Sequence, residues 1–300
     1  MAAIPGILTN PVWWIALCLA GFVVGVVGGM FGVGGNFLLI PILNTAFGVP
    51  IDIAVGTSLC QIIGTGVAAL RRHQRLKQGE IKIDWIMLLG GMMGAQAGAQ
   101  LLSTLAARGA TTVFGHPIPT AKLTLSVVYI LLLSTVAYWM IQDARSRPAG
   151  APLHPGPLTR IPIPPFTWLP LAERRVSILV IAWMGLLLGF LSGLVGMGGG
   201  VVLMPILIYG FGMRLRMAAG TGILALVVSA IAGTWAHARL GHVDLRIAMM
   251  LLIGSTMGAT VGATITSKMD GQKMRGLFGY LVLLTALAVA WDLLRILKLM

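Results

Sequence analysis

Two similar glycine-rich stretches lie 164 residues apart in this chain. The first is Gly21-Phe-Val-Val-Gly-Val-Val-Gly-Gly-Met-Phe-Gly-Val-Gly-Gly-Asn-Phe-Leu-Leu-Ile-Pro41. The second copy is Gly185-Leu-Leu-Leu-Gly-Phe-Leu-Ser-Gly-Leu-Val-Gly-Met-Gly-Gly-Gly-Val-Val-Leu-Met-Pro205. The same spacing relates Ala54-Val-Gly-Thr57 to Ala218-Ala-Gly-Thr221. Self-similarity at a fixed offset predicts two homologous repeats.

The composition is that of a protein embedded in lipid. Hydrophobic residues make up 57% of the chain and charged residues 10%, whereas soluble domains carry about 25% charged residues. Apolar runs near the length of about 20 residues that spans a bilayer recur along the whole chain. We therefore predict an all-α polytopic membrane protein with eight to ten membrane segments.

Each repeat contains five apolar segments, of which the second is short. The first repeat has segments at about 12–30, 35–47, 53–70, 84–106 and 122–142, and the second at about 176–194, 199–211, 217–236, 247–267 and 276–296. A helix of about 13 residues is about 20 Å long, less than the hydrocarbon thickness. The short segments are therefore predicted to be half-helices or re-entrant pieces, entered through the glycines.

The chain divides into repeat 1–142, linker 143–175 and repeat 176–300. The linker is rich in proline, which predicts an extended, solvated segment. Its basic residues place it in the cytoplasm, because cytoplasmic loops carry an excess of Lys and Arg.

The positions of the basic residues also bear on topology. Inverted repeats place 15 of the 21 Lys and Arg residues in cytoplasmic loops, and parallel repeats place 14 there. This small difference, together with the tendency of duplicated transporters to invert, favours inverted repeats.

The formal net charge of +13 does not indicate a nucleic-acid partner. Its Lys and Arg residues lie in loops and at helix ends, as the positive-inside rule expects. The expected partners are membrane lipid and a small anionic substrate, with no nucleic acid, and the sequence leaves a homodimer open. Cys18 and Cys60 lie in apolar segments and are interpreted as small core residues. No metal or other cofactor is predicted.

The two glycine breaks are the candidate substrate site. A non-helical break in lipid is tolerated only where protein or a cavity surrounds it. The helix that follows each break directs free N–H groups and its positive dipole end towards that cavity, which suits an anion. The candidate residues are Gly32, Gly34, Gly35 and Asn36 in the first copy and Gly196, Gly198, Gly199 and Gly200 in the second. The alternative is close helix packing through small residues, to which we assign Gly21, Gly25, Gly29, Gly90, Gly94 and Gly98.

Uncharged polar residues follow the breaks. Thr57, Ser58 and Gln61 in the first repeat and Thr221 in the second can contact an oxyanion without bringing charge into the membrane. The alternative is that these side chains satisfy their own helix backbone. Asn36 is present in the first copy alone, because the second has Gly200.

Both third segments end in His-x-Arg-Leu. His73 and Arg75 end the first, and His237 and Arg239 end the second. One interpretation is an electropositive vestibule that attracts anions; the other is anchoring of long basic side chains at the membrane interface.

The sequence contains no convincing catalytic set. Asp and Glu are almost missing from the apolar segments, and Asp52, Asp84 and Asp292 lie at segment ends. A carboxylate proton relay is therefore not visible, and neither a Ser-His-Asp arrangement nor an HExxH motif is present. We expect a protein that is not an enzyme.

The paired glycine motifs ending in Pro41 and Pro205, each followed by a Gly-Thr segment and a His-x-Arg-Leu end, resemble the sulfite exporter TauE/SafE family. The resemblance covers roughly 13–108 and 176–296. It implies a multi-pass transporter of the bacterial inner membrane that exports a small sulfur oxyanion such as sulfite or an organosulfonate. An anion channel, or a membrane enzyme or assembly factor without transport activity, are the alternatives. The sequence departs from the family pattern at Asn36 and in its long linker.

Overall fold

The computed structural model describes residues 11–75, 81–113, 116–146, 156–169 and 174–297. The helices of the first part are α1 Pro11–Phe31, α2 Asn36–Thr45, α3 Ile51–Arg75, α4 Ile81–Ala107 and α5 Thr120–Ser146. Those of the second part are α6 Ile178–Val195, α7 Gly200–Pro205, α8 Leu215–Gly220, α9 Ile223–Arg239, α10 Leu245–Lys268 and α11 Gly271–Ile296. A π-helical turn, Ile206–Gly210, continues α7.

Seven described helical stretches are long and apolar enough to cross a membrane. They are α1, α5, α6, α10 and α11, most of α3, and the stretch Met217–Arg239 that contains α9. The short apolar helices Asn36–Thr45 and Gly200–Gly210 lie where the sequence predicts them. The protein is therefore a multi-pass helical membrane protein.

Two helix pairs pack closely through glycines. Along α1, added Cβ atoms at Gly21, Gly25 and Gly29 would collide with the backbone of α10. Glycines at 185, 189 and 193 of α6 lie in the same way against the backbone of α4. Because glycine has no side chain, the two backbones of each pair approach closely.

The helix directions follow from which residues meet. Along α3 and α9, Gly56 lies beside His237 and Gly66 lies beside Val227, so the two helices run antiparallel. Ion pairs at both ends of α5 and α11 show the same relation: Lys122 to Asp292 at 3.0 Å and Arg275 to Asp143 at 3.1 Å. By contrast, α1 runs parallel to α10.

Three features differ from the sequence predictions. The predicted segment 217–236 is divided into α8 and α9, because Gly222 has a left-handed φ of 86° that other residues rarely adopt. Two short antiparallel hairpins are present: β1 Ala110–Val113 with β2 His116–Pro119, and β3 Phe166–Leu169 with β4 Arg174–Ser177. The linker is not simply extended and solvated, since it contains β3, and its Leu169 is buried.

Replacing Gly25 by alanine should lower the free energy of unfolding by about 1–3 kcal/mol, the usual cost of overpacking. The added methyl group would meet the backbone of Ser255 and push α1 from α10. Thermal melting in detergent measures the effect. Gly276→Ala on α11 is the matched control, because its Cβ would meet only Ala144 Cβ at 3.7 Å. Equal melting temperatures for the two variants would contradict close packing.

Candidate substrate site at the paired helix breaks

Each break contains three glycines in the left-handed region. Gly32, Gly34 and Gly35 have φ of 67°, 79° and 73°, and Gly196, Gly198 and Gly199 have φ of 74°, 67° and 70°. Side chains with a Cβ pay a steric cost in this region, so the two breaks require glycine. Each break ends one helix and begins a short helix that runs back beside it.

The two breaks meet inside the bundle. The backbone of Val33 in the first break lies against Gly200 at the end of the second. Gly34 and Gly198 both face Ile62 of α3 and Leu226 of α9. Two voids of about 10 Å³ each remain beside the breaks, room for no more than one water molecule each. Neither of these two voids has room for an anion larger than a water molecule.

The N–H groups that begin the short helices have no hydrogen-bond partner within the described part of the chain. They belong to Asn36 and Phe37 in α2 and to Gly200 and Val201 in α7, all buried. Buried backbone N–H groups are rarely left without a partner. Four of them around the paired breaks, at the positive ends of two helix dipoles, create an environment that favours negative charge.

The carbonyl groups at the ends of the preceding helices are, by contrast, occupied by side-chain donors. Thr266 Oγ1 donates to Met30 O at 2.6 Å, and Tyr129 OH donates to Val195 O at 3.3 Å. Asn36 Nδ2 donates to Gly196 O at 3.2 Å. Side-chain donors therefore occupy three of the carbonyl groups at the breaks, whereas the four N–H groups have no printed partner among the described residues.

Asn36 joins the two breaks directly. Its Nδ2 donates to Ser58 O at 2.7 Å as well as to Gly196 O, and Ser58 Oγ donates to Val55 O at 2.8 Å. Both Nδ2 bonds go to carbonyl oxygens, which fixes the orientation of the amide. Asn36 Oδ1 is buried without a partner, as is Gln61 Oε1.

The remaining predicted polar contacts are occupied elsewhere. Thr57 Oγ1 accepts a hydrogen bond from Asp244 N at 3.0 Å, at the start of α10. Thr221 Oγ1 donates to Met217 O at 2.8 Å, in the α8 helix that ends just before it. Asn36 and Ser58 thus contact the second break through Gly196 O, and a direct role of any of these polar side chains in binding stays a prediction.

Comparison with known proteins identifies the family. A family model described as "Sulfite exporter TauE/SafE" matches residues 17–291. The chain belongs to the TauE/SafE family. It is 25% identical to the "Probable membrane transporter protein YunE" of Bacillus subtilis, over 86% of this chain and 90% of that protein. It is 26% identical to YjnA of the same organism, over 91% and 98% of the two chains. No solved structure matches.

The predicted vestibule residues of this TauE/SafE protein lie in different environments. The side chains of His73 and Arg75 lie outside the described residues. His237 is buried, and its Nε2 donates to Gly193 O at 3.0 Å. Arg239 is exposed and lines a cavity of about 310 Å³ together with Gln96 and Gln100.

Sequence reasoning assigned no role to three buried side chains, Ile62, Leu226 and Asp84. Ile62 and Leu226 close the space between the breaks, and they have the same 164-residue spacing as the glycines, a signal that could have found them. Asp84 is 1% exposed, and its Oδ1 accepts from Ala225 N at 3.3 Å at the start of α9. Within the described residues, no group of three or more His, Cys, Asp or Glu side chains could hold a metal ion.

Proposed function

We propose that this TauE/SafE protein exports a small sulfur oxyanion, sulfite or an organosulfonate, across the bacterial inner membrane. The observation that carries the proposal is the set of four buried N–H groups without partners at the paired breaks. Oxyanions accept hydrogen bonds at several oxygens and fit between opposed helix starts. The family description supports sulfur as the central atom.

Inverted repeats are the second element of the proposal. Gly21 packs on Leu251 and Gly185 packs on Met87, two contacts related by the 164-residue offset. The antiparallel directions of α3 and α9 support inversion. Counting α4, α2 and α7 with the seven long spans gives ten membrane segments. Ile62 and Leu226 would then part on one side at a time, giving alternating access.

Cysteine labelling tests the inversion. Pro50 and Arg214 are exposed and occupy equivalent positions of the two repeats. In a background with Cys18 and Cys60 replaced by serine, an impermeant thiol reagent added to intact cells should label Pro50→Cys but label Arg214→Cys only after permeabilisation. Labelling of both variants from the same side would contradict inverted repeats.

Transport itself is tested with purified protein in liposomes. Flux of sulfite, sulfate, sulfoacetate, taurine and chloride is measured, with empty liposomes as the control. We expect saturable flux of a sulfur oxyanion and counterflow, since alternating access exchanges bound substrate across the membrane. Flux without saturation or counterflow would indicate a channel. Absence of flux for all five solutes from folded protein would contradict the proposed function.

A further inference from the structure

Three ionisable side chains form a chain of contacts at the end of the bundle where α9 meets α10. His237 Nε2 lies 3.0 Å from Gly193 O, in the last turn of α6. Its Nδ1 lies 3.4 Å from Nδ1 of His242, in the loop between α9 and α10. His242 Nε2 lies 3.6 Å from Asp52 Oδ2, in the first turn of α3.

The partners determine where the protons lie. A carbonyl oxygen only accepts, so His237 Nε2 carries a hydrogen and, in the neutral ring, Nδ1 offers a lone pair. His242 Nδ1–H must then donate to that lone pair. Its Nε2 faces a carboxylate, which requires either a second hydrogen on His242 or a protonated Asp52. All three contacts are therefore satisfied together only when the group of Asp52, His237 and His242 holds one proton more than a carboxylate and two neutral imidazoles carry.

Loss of that proton breaks one of the three contacts. A neutral His242 carries a single ring hydrogen, which can serve either His237 or the Asp52 carboxylate. If it serves Asp52, two lone pairs face each other between the histidines. If it serves His237, a lone pair of His242 faces the carboxylate. Deprotonation therefore weakens the chain of contacts that joins α3 to α9 through His242 in the loop between α9 and α10.

This tie lies next to the second glycine break. Gly193 is three residues before Gly196, and Gly56 of α3 packs against both His237 and His242. His242 is the ionisable side chain in contact with His237, and Asp52 is in contact with His242. The carboxylate of Asp244 accepts hydrogen bonds from the backbone N–H groups of Arg246 and Ile247 in α10. The other charged residues nearby are Arg239, at the end of α9, and Arg246, at the start of α10. Helix α6 contains no charged residue.

We propose that Asp52, His237 and His242 form a proton-binding site that holds the outer side of the transporter closed. This proposal rests on the proposed transport function and on the orientation given by the positive-inside rule. Protons at the outer face complete the contact chain and hold α3 against α9. A rise in external pH removes the proton and frees the outer ends of these helices.

The rate of anion export should be lower at acidic external pH than at alkaline external pH. Histidine titrates between about pH 5 and 8, so export of methanesulfonate, whose charge is constant over this range, should rise about tenfold as external pH rises from about 5.5 to about 8. Changing only the internal pH should have little effect. Asp52→Asn and His242→Gln should each reduce the external response to less than about twofold.

Asp244→Asn is the matched control, because asparagine also caps helices and the change removes a carboxylate two residues from His242. It should retain the wild-type pH response. A response that survives in Asp52→Asn and His242→Gln, or one that follows internal pH, would overturn the proposal.

Hydrogen exchange provides a readout independent of transport. After correction for intrinsic rates, backbone N–H groups of residues 240–247 should exchange about tenfold faster at pH 8 than at pH 5.5 in the wild type, and equally fast at both in Asp52→Asn. Equal wild-type protection at the two pH values would overturn the proton site. If no anion is transported, the proposed function fails while the exchange result still decides this proposal.

Discussion

Alanine at Gly35 or at Gly199 should reduce anion flux by about a hundredfold while leaving the protein inserted in the membrane. Both glycines have left-handed φ, and an added Cβ would press on the backbone of Val24 or Leu188. The first N–H groups of α2 and α7 would shift with it, and a shift of about 1 Å in a positioned site costs about a hundredfold. Liposome flux, normalised to inserted protein, measures the loss.

The chain offers matched controls for backbone strain. Gly48 and Gly109 have φ of 65° and 72°, with nothing within 4 Å of an added Cβ. Alanine at either position therefore introduces the same unfavourable φ, a cost of about 1–2 kcal/mol, without disturbing the breaks. Near-normal flux in these controls with loss at Gly35 and Gly199 would support the glycine site. Near-normal flux in all four variants would refute it.

Asn36→Asp should weaken anion binding even though it hardly changes side-chain size. The carboxylate cannot donate to Ser58 O or Gly196 O, and it places a negative charge at the start of α2. A helix start stabilises an anion, so the new carboxylate would compete with the substrate for the free N–H groups. We expect substrate affinity to fall at least about tenfold, or about 1.4 kcal/mol, measured by equilibrium binding to purified protein.

Asn44→Asp controls for the loss of an amide donor. Asn44 Nδ2 donates to Val49 O at 2.8 Å at the other end of α2, away from the breaks. This variant should bind substrate like the wild type. If the two variants lose affinity equally, the effect of Asn36→Asp comes from general damage to α2 and not from the site.

The glycine positions and their spacing predicted both breaks and the close helix packing. Left-handed backbone and close backbone-to-backbone contact both favour glycine strongly. The positions of the glycines in the sequence therefore indicate where these two features occur. The short helix after each break was also predictable, because the second apolar segment of each half of the chain is shorter than a membrane span.

The polar contacts of the site could not be predicted from sequence. Thr57 bonds to Asp244, 187 positions away, and Asn36 bonds to Gly196, 160 positions away. A side chain such as threonine can satisfy its own helix or reach another element, and only the packed arrangement decides between them. The division of α8 from α9 was missed because a single Gly222 in an apolar segment is compatible with a continuous helix.

The proposed site of neutral N–H groups would have an electrical consequence. No Lys or Arg among the described residues is buried, so no buried Lys or Arg in this part of the chain would neutralise the anion during its passage. Each turnover of the proposed transporter would then move the full charge of the substrate through the membrane field. An inside-negative potential of about 100 mV drives each negative charge outward with about 2.3 kcal/mol. The resting voltage of the cell alone could therefore expel a divalent anion against a steep concentration gradient.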